Sequence, residues 1–565
     1  MAKYYCGLPG KVKLILLLVF KERSTLSIFD TLMECSATRI PYRQTGYFSK
    51  IVVDYIDQVS SLKDFFAYPP AIQGIKKAIE DRKQFGYHRK LLVQELQKQY
   101  ASVALTEKTK NNIQALASEN TFTFTTAHQN NIFTGPLYFI YKILHTIRLA
   151  EYCKINLPAH NFVPVFYIGS EDADIDELNH IYVGGEKLTW DTKQTGAVGR
   201  MKVDKELVKL IGLMEGQLSV LPFGNEMVSL MKEFYKEGET IQSSTFQIVN
   251  ALFGEYGLVV LLPDNAELKK QMIPIFKDDL LNQTASGIVE KTAERLSNAG
   301  YKVQANPREI NLFYLRNDSR ERIEKRNTQF SVLNTQYSFN EADIVKELDD
   351  HPGRFSPNVI LRGLYQETVL PNLAFIGGGG ETAYWLQLKD LFDHYSVPFP
   401  MLVLRNSFLV VENKWQERIS RLGFSIEDFF LPEEELLSRV VMNESKNEVK
   451  LNGSLSELEQ MYESFKKQAS AVDSTLAKHV EALKLRTVHR LQELEKKMLR
   501  AEKRKFADQQ RQINTIKEHL FPGNGLQERH DNIGYYYAKW GRDFIDKLYQ
   551  YSLNLEQEFV IILER

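Results

Sequence analysis

Four short apolar runs, separated by helical sequence, constrain this chain more than any other feature. They are Phe162-Val163-Pro164-Val165-Phe166-Tyr167-Ile168, Gly257 to Leu262, Leu373-Ala374-Phe375-Ile376 and Met401-Leu402-Val403-Leu404. A strand that is apolar on both faces must be covered on both, and intervening helices supply that cover. The pattern predicts a parallel sheet in a doubly wound, Rossmann-like α/β core. Thr121 to Thr126 alternates and is β-branched, so it reads as a further strand. Leu137 to Glu151 reads as the helix after it. Residues 309–340 differ: closely spaced strands at Ile310–Leu315 and Gln329–Leu333 suggest an inserted antiparallel patch. Residues 37–120 are mostly helical in period, as in Ile51, Val52, Tyr55, Ile56 and Val59.

The region after residue 453 has another texture. Leu455, Leu458, Tyr462, Phe465, Ala469 and Val472 recur at steps of three and four, a heptad seam. Asp473-Ser474-Thr475 interrupts it, and Asp473 suits an N-cap. A second run follows through Leu476, Val480, Leu483, Leu491, Leu494, Met498 and Ala501, with a slipped phase. The expectation is an antiparallel coiled-coil hairpin over 454–521, with a second helix of ~45 residues, or about 68 Å. The charges from Lys496 to Lys505 read as a solvated face, phosphate capture being the sharper alternative. A homodimer through the 455–472 seam is one arrangement this pattern allows. Phe521-Pro522-Gly523-Asn524-Gly525 stops the helix. Residues 522–565, with Tyr535-Tyr536-Tyr537 and Trp540, are too apolar for a tail and should return to the core, which spans 37–453.

Length and charge narrow the class. The 565 residues suggest three or four domains' worth of chain, or one elaborated core with appendages. With 71 basic against 72 acidic residues, the basic excess usual in nucleic-acid binders is absent. The three cysteines, Cys6, Cys35 and Cys153, form no CxxC, which argues against a disulfide framework or a cysteine-rich zinc site and fits a reducing, cytoplasmic setting. The apolar run at 14–20 is far short of the ~20 residues a membrane helix needs. Lys21-Glu22-Arg23 follows it where a signal peptide would have small residues. Residues 1–36 are therefore expected to be an extension, with 1–32 arising from an upstream start codon; a weak export signal is the rival reading.

Chemistry in an open α/β sheet belongs beyond the carboxyl ends of the strands. Four stretches lie there, and none is a GxGxxG or GxxxxGK[ST] fingerprint. Ala127 to Pro136 joins a strand to a helix and offers His128, Gln129, Asn131, Thr134 and Gly135; a capped turn is the plain alternative. Gly169 to His180 carries five carboxylates in seven residues. Of these Glu171, Asp172 and Asp174 stand out, with Ser170 and His180 beside them. Such carboxylates hold an ammonium, bind Mg²⁺ or act as a base, although acidic residues also favour a helix start. Phe355 to Thr368 offers Asn358, Arg362 and Gln366. Arg362 could clamp a carboxylate or phosphate with its planar fork, or serve a structural ion pair. Gly377-Gly378-Gly379-Gly380-Glu381 follows a buried strand and permits close backbone approach to an anion, or simply close packing.

Together these stretches resemble one family, the bacillithiol biosynthesis cysteine-adding enzymes. The resemblance rests on Arg39-Ile40-Pro41-Tyr42, His128-Gln129, Phe133 to Tyr138, Ser170-Glu171-Asp172, Asp174, Asn179-His180, Ser356-Pro357-Asn358, Leu361-Arg362, Tyr365-Gln366-Glu367, Gly377 to Glu381, Ala383-Tyr384-Trp385 and Leu526-Gln527-Glu528-Arg529. Ala127 stands where Gly is expected, Ala173 where His is frequent and Gly363 where Pro is usual, and the second change weakens any histidine-dependent step at that loop.

The resemblance implies a ligase that joins L-cysteine to the amine of glucosaminyl-malate, giving bacillithiol. Amide formation needs an activated carboxylate, so ATP or another nucleotide is expected, with Mg²⁺ accompanying it and no protein-bound metal site. In this reading the 128–136 turn and the 377–380 loop hold anionic groups, and Arg362 binds a malate carboxylate or phosphate. Glu171, Asp172 or Asp174 holds the amine and removes its proton. Neither nucleic acid nor membrane enters. Two rivals stay open: another ATP-dependent amino-acid ligase, and a non-enzymatic coiled-coil adaptor with a degenerate core.

Overall fold

The computed structural model describes residues 33–447 and 450–565. The reading of residues 1–32 lies outside the described residues. Met33 is buried and a strand begins at Cys35, so the boundary expected after residue 36 moves toward the N-terminus. That strand opens a segment otherwise helical as far as Ala115.

Five strands form the parallel sheet: β1 (Thr121–Gln129), β2 (Asn161–Gly169), β3 (Val259–Leu261), β4 (Asn372–Gly377) and β5 (Met401–Leu404). Their order is β5-β4-β1-β2-β3, with every neighbour parallel. The chain runs outward from β1 to β3, then returns on the other side of β1, so the winding reverses between β1 and β4. Ligands bind at such a reversal, beyond the carboxyl ends of the strands. The alternation in β1 hides a central strand, because its threonines are buried. Two of them have their hydroxyls bonded to the neighbouring strand: Thr126 Oγ1 donates to Ile376 O at 2.8 Å, and Thr123 Oγ1 to Asn372 Oδ1 at 3.3 Å.

Three helices shape the carboxyl edge: α1 (Tyr138–Asn156), α2 (Val359–Val369) and α3 (Gly379–Trp385). The inserted patch is larger than the sequence suggested. It is a five-stranded antiparallel sheet of Leu312–Leu315, Arg320–Arg326, Gln329–Val332, Ser338–Asn340 and Phe355–Pro357. Its last strand runs directly into Asn358, whose Oδ1 accepts from Ile360 N at 2.8 Å and starts α2.

The hairpin consists of α4 (Asn452–Val472) and α5 (Leu476–Lys503). Lys466 Nζ meets Glu481 at 2.8 Å, Tyr462 Oη meets Thr487 Oγ1 at 2.9 Å, and Leu451 N meets Glu495 at 3.0 Å, so the helices run antiparallel. Phe465 and Val472 of the seam remain exposed. The expected single long second helix is broken. A tight turn at Arg504–Phe506 ends α5 after 28 residues, and α6 (Ala507–Leu520) leaves the hairpin for the core. The cause is packing: Ile513, Ile516 and Leu520 are buried, and Lys517 Nζ donates to Phe429 O and Leu431 O at 2.9 and 3.1 Å. The C-terminal segment then packs on the core. Its strand Glu558–Glu564 lies between Cys35–Pro41 and Phe408–Val411 as the middle of a third sheet.

Candidate active site

One cavity of about 500 Å³ opens at the reversal point. Its first wall grows from β1. After Gln129 the chain turns sharply through Phe133, Thr134 and Gly135, with φ of 48°, 70° and 65°. Only glycine fits the third position, because a Cβ there would lie 2.6 Å from Asn131 Cβ. Asn532 pins the strained turn by donating to Phe133 O at 2.9 Å and Gly135 O at 2.6 Å. The turn launches α1, whose Tyr138 and Lys142, one turn apart, face back to β1. Lys142 Nζ donates to Ala127 O at 2.6 Å and pairs with Glu381 at 2.5 Å. His128 Nδ1 lies 3.0 Å from Gln129 O, and Nε2 lies 3.2 Å from Tyr138 Oη. A carbonyl only accepts, so Nδ1 carries the proton and Nε2 accepts from the tyrosine. Burial, reinforced by the charge of Lys142, pushes the imidazole down to about 4.

The second wall follows β4. Gly378 starts α3, and its N–H donates to Glu381 Oε2 at 2.7 Å. Gly378 and Gly380 line the cavity; Gly379 instead packs toward Val52 and Phe48, and Gly377 closes on Phe375. Arg405, just beyond β5, donates from its backbone to Gly377 O and from its fork to both Glu528 oxygens at 2.7 and 2.9 Å. Arg529, next in the chain, also lines the cavity.

The third wall lies beyond β2. Asp172 Oδ2 accepts from Gln129 Nε2 at 2.9 Å and stands 3.7 Å from Arg362 Nη2. Burial works against the Asp172 anion, but Arg362 and Gln129 outweigh it and hold the carboxyl below its ordinary value. Glu171, in contrast, is buried, ion-paired with Lys269 and bonded by Ser356 at 3.1 Å. Arg320 and Phe313 of the inserted sheet, Val359 and Asn358 at the start of α2, and Tyr167 and Tyr384 complete the lining.

The described chain matches two family descriptions end to end. "Bacillithiol biosynthesis BshC, N-terminal Rossmann-like domain" covers residues 33–406, and "Bacillithiol biosynthesis BshC, C-terminal coiled-coil domain" covers 408–564. The chain belongs to the BshC family. A Flavobacterium johnsoniae protein named "Putative cysteine ligase BshC" is 39% identical over 93% of this chain and 99% of its own length. Proteins of the same name from Cytophaga hutchinsonii and Salinibacter ruber are 36% and 30% identical, each over 91% of this chain and 96% of their own.

Within this BshC fold the four sequence stretches do converge. His128, Gln129, Asp172, Asn358, Arg362, Gly378, Gly380 and Glu381 share the cavity. Other expected site residues do not line it. Asn131, Thr134 and Ser170 are buried behind it, with Thr134 Oγ1 and Ser170 Oγ lacking partners among the described residues, and Gly135 serves the turn. Asp174 is exposed and only its N–H reaches Asp172, at 3.3 Å. His180 pairs with Asn179 at 3.2 Å at the start of a small hairpin. Gln366 is a core residue bonded to Glu367 at 2.8 Å. Sequence reasoning missed Lys142, Arg320, Arg405 and Arg529 as site groups. Lys142 could have been found four residues after Tyr138 on one helix face, and Arg529 within the Leu526 to Arg529 stretch of the resemblance; Arg320 and Arg405 carry no local signal. Among the described residues, no three His, Cys, Asp or Glu side chains converge to hold a metal ion, and no helix is long and apolar enough to cross a membrane.

Proposed function

We propose that this protein is a cysteine ligase of bacillithiol biosynthesis, joining L-cysteine to the amine of glucosaminyl-malate. The observation that carries the reading is the charge pattern of the cavity. An ionised Asp172 shares one concave site at the sheet's reversal point with Arg320, Arg362 and Arg529, while the other lining cations, Lys142 and Arg405, are already paired with Glu381 and Glu528. The carboxylate suits an ammonium, and the cations suit carboxylates and phosphates.

Each residue then has a task. Asp172, fixed by Gln129, holds the attacking amine and takes its proton, because only a neutral amine attacks. Glu171 is assigned no catalytic task, since its carboxylate is spent on Lys269 and Ser356. His128 stays neutral and orients Tyr138 rather than exchanging protons. Gly380 has open space where a side chain would stand and Arg529 lines the same cavity, which favours a phosphate chain near them, while the Gly378 N–H is already taken by Glu381. Bound there, ATP or a related nucleotide with its Mg²⁺ would supply the activation that a free carboxylate lacks. A thiol product of this kind belongs in the reducing cytoplasm.

The test is mass spectrometry of low-molecular-weight thiols in cells lacking this protein. Accumulated glucosaminyl-malate without bacillithiol is the expected result. Unchanged bacillithiol would end the assignment, and turnover of other amino acids in its place would point to a different ligase.

A further inference from the structure

Of the four arginines that line the cavity, Arg320 and Arg362 come from separate parts of the fold and share one nearby carboxylate, Asp172. Arg362 comes from α2 and meets Asp172 at 3.7 Å. Arg320 comes from the inserted sheet, and among the described residues it has no ion-pair partner. Its Nε donates to Ser356 Oγ at 3.0 Å, its Nη2 reaches Pro357 O at 3.4 Å, and its Cζ lies 3.8 Å from the Phe313 ring centroid. These contacts hold the stem and one edge of the fork of a residue that lines the cavity, and leave Nη1 without a hydrogen bond among the described residues.

The hold on Arg320 is built in depth. Ser356 accepts from Arg320 and donates to Glu171 Oε2 at 3.1 Å. Glu171 is gripped by Lys269, which also lies 3.8 Å from Asp264, and Asp264 takes two bonds from Arg200 at 2.7 and 2.8 Å. This chain of charges thus ends in one oriented guanidinium that makes no contact ion pair among the described residues, with Asp172 and Glu171 acting on it from farther off. Burial drives the Arg320 group down to about 10 and Arg362 adds to that push; Asp172 and Glu171 offset only part of it, so a bound anion would relieve the remaining cost.

We propose that Arg320 and Arg362 form a two-guanidinium clamp for two carboxylates on one acceptor molecule, with Ser356 and Glu171 as positioning residues. The clamp rests on the ligase reading only for the acceptor's identity, whose malate group carries two such carboxylates. Planar forks arriving from different elements each match one planar carboxylate. A phosphate shares this anionic chemistry, so inorganic phosphate is one arm of the test.

Calorimetry on the full chain tests the clamp with three probes: malate, lactate (the same 2-hydroxy acid with one carboxylate) and inorganic phosphate. Wild type should bind malate about 10- to 100-fold more tightly than lactate, the loss expected for one charge-assisted contact. R320M and R320K should both abolish most of that preference, R320K keeping the charge and the packing on Phe313 if R320M fails to fold. E171Q should weaken malate binding in the Arg320 protein and add nothing in R320M, which a merely structural role would not produce. An unchanged malate-to-lactate ratio in R320K, no malate binding by wild type, or phosphate as the probe lost in R320K would overturn the clamp. Malate binding through Arg320 in a protein that never ligates cysteine would leave the clamp standing and remove the ligase reading.

Discussion

At the scale of single residues, the site separates two carboxylates that sit side by side in the sequence. Glu171 points back into a buried ion pair, while Asp172 points into the cavity as an anion. Asp172→Asn keeps the shape and can still engage Gln129, yet it removes the charge and with it the proposed base. Ligation should fall by about 100-fold or more with little change in melting temperature; near-wild-type turnover would remove the role. His128 supports a second expectation. Its imidazole titrates at about 4, so it is neutral throughout the physiological range. The pH–rate profile of ligation should therefore show no histidine inflection between pH 5 and 8 from this residue. His128→Gln should leave the profile's shape unchanged while lowering its height, and a vanished inflection in that variant would contradict the assignment.

Among elements, the junction of α6 with the core is held by one carboxylate. Glu412, at the end of strand Phe408–Val411, receives His519 of α6 at 3.3 Å and pairs with Lys539 at 2.5 Å and Lys414 at 3.2 Å. Burial opposes its charge, but these partners win and pull the carboxyl down to about 2 from an ordinary 4.5. The folded state thus binds the proton less readily than the unfolded chain. The stabilisation is complete above pH 4.5 and fades as the pH falls toward 2. Glu412→Gln should lower the melting temperature at pH 6, and the gap from wild type should shrink by pH 3. A gap that stays constant would show that the carboxylate's charge does not hold this joint. The elements also divide by how legible they are. The parallel strands could be read because buried strands are continuous apolar runs. Arg320–Arg326, whose residues Arg-Glu-Arg-Ile-Glu-Lys-Arg bury only Ile323, could not. That strand carries Arg320, one of the three guanidinium groups the sequence reading lacked. The end of α5 was equally hidden, because the residues that break it are good helix formers and the cause is the pull of Ile513, Ile516 and Leu520 toward the core.

Taken whole, the molecule closes on itself at the site. Arg405 and Glu528 stand 123 residues apart on either side of the coiled coil, yet they meet in a fully bonded, buried pair beside the cavity. No local pattern in the sequence could announce that contact, although each residue's neighbourhood was visible. The chain therefore returns from the hairpin to finish the pocket, and Arg529 is delivered with it. Glu528→Gln leaves the Arg405 charge buried with a neutral partner. Breaking such a pair costs about 3–5 kcal/mol, so the variant should melt markedly lower and lose ligation together. The last strand extends the argument. Glu558–Glu564 is the central strand of its sheet, with seven registered partners in Cys35–Pro41 and four in Phe408–Val411. Its Phe559, Val560, Ile561 and Ile562 are buried. Removing residues 558–565 exposes both neighbours and loosens Arg405 at the start of the same connection. Limited proteolysis of the truncated chain should then cut within the Rossmann-like core, and not only in the C-terminal helices. If the truncated chain resists protease like the full one and still binds malate, the C-terminal segment is an accessory to the site and not part of its wall.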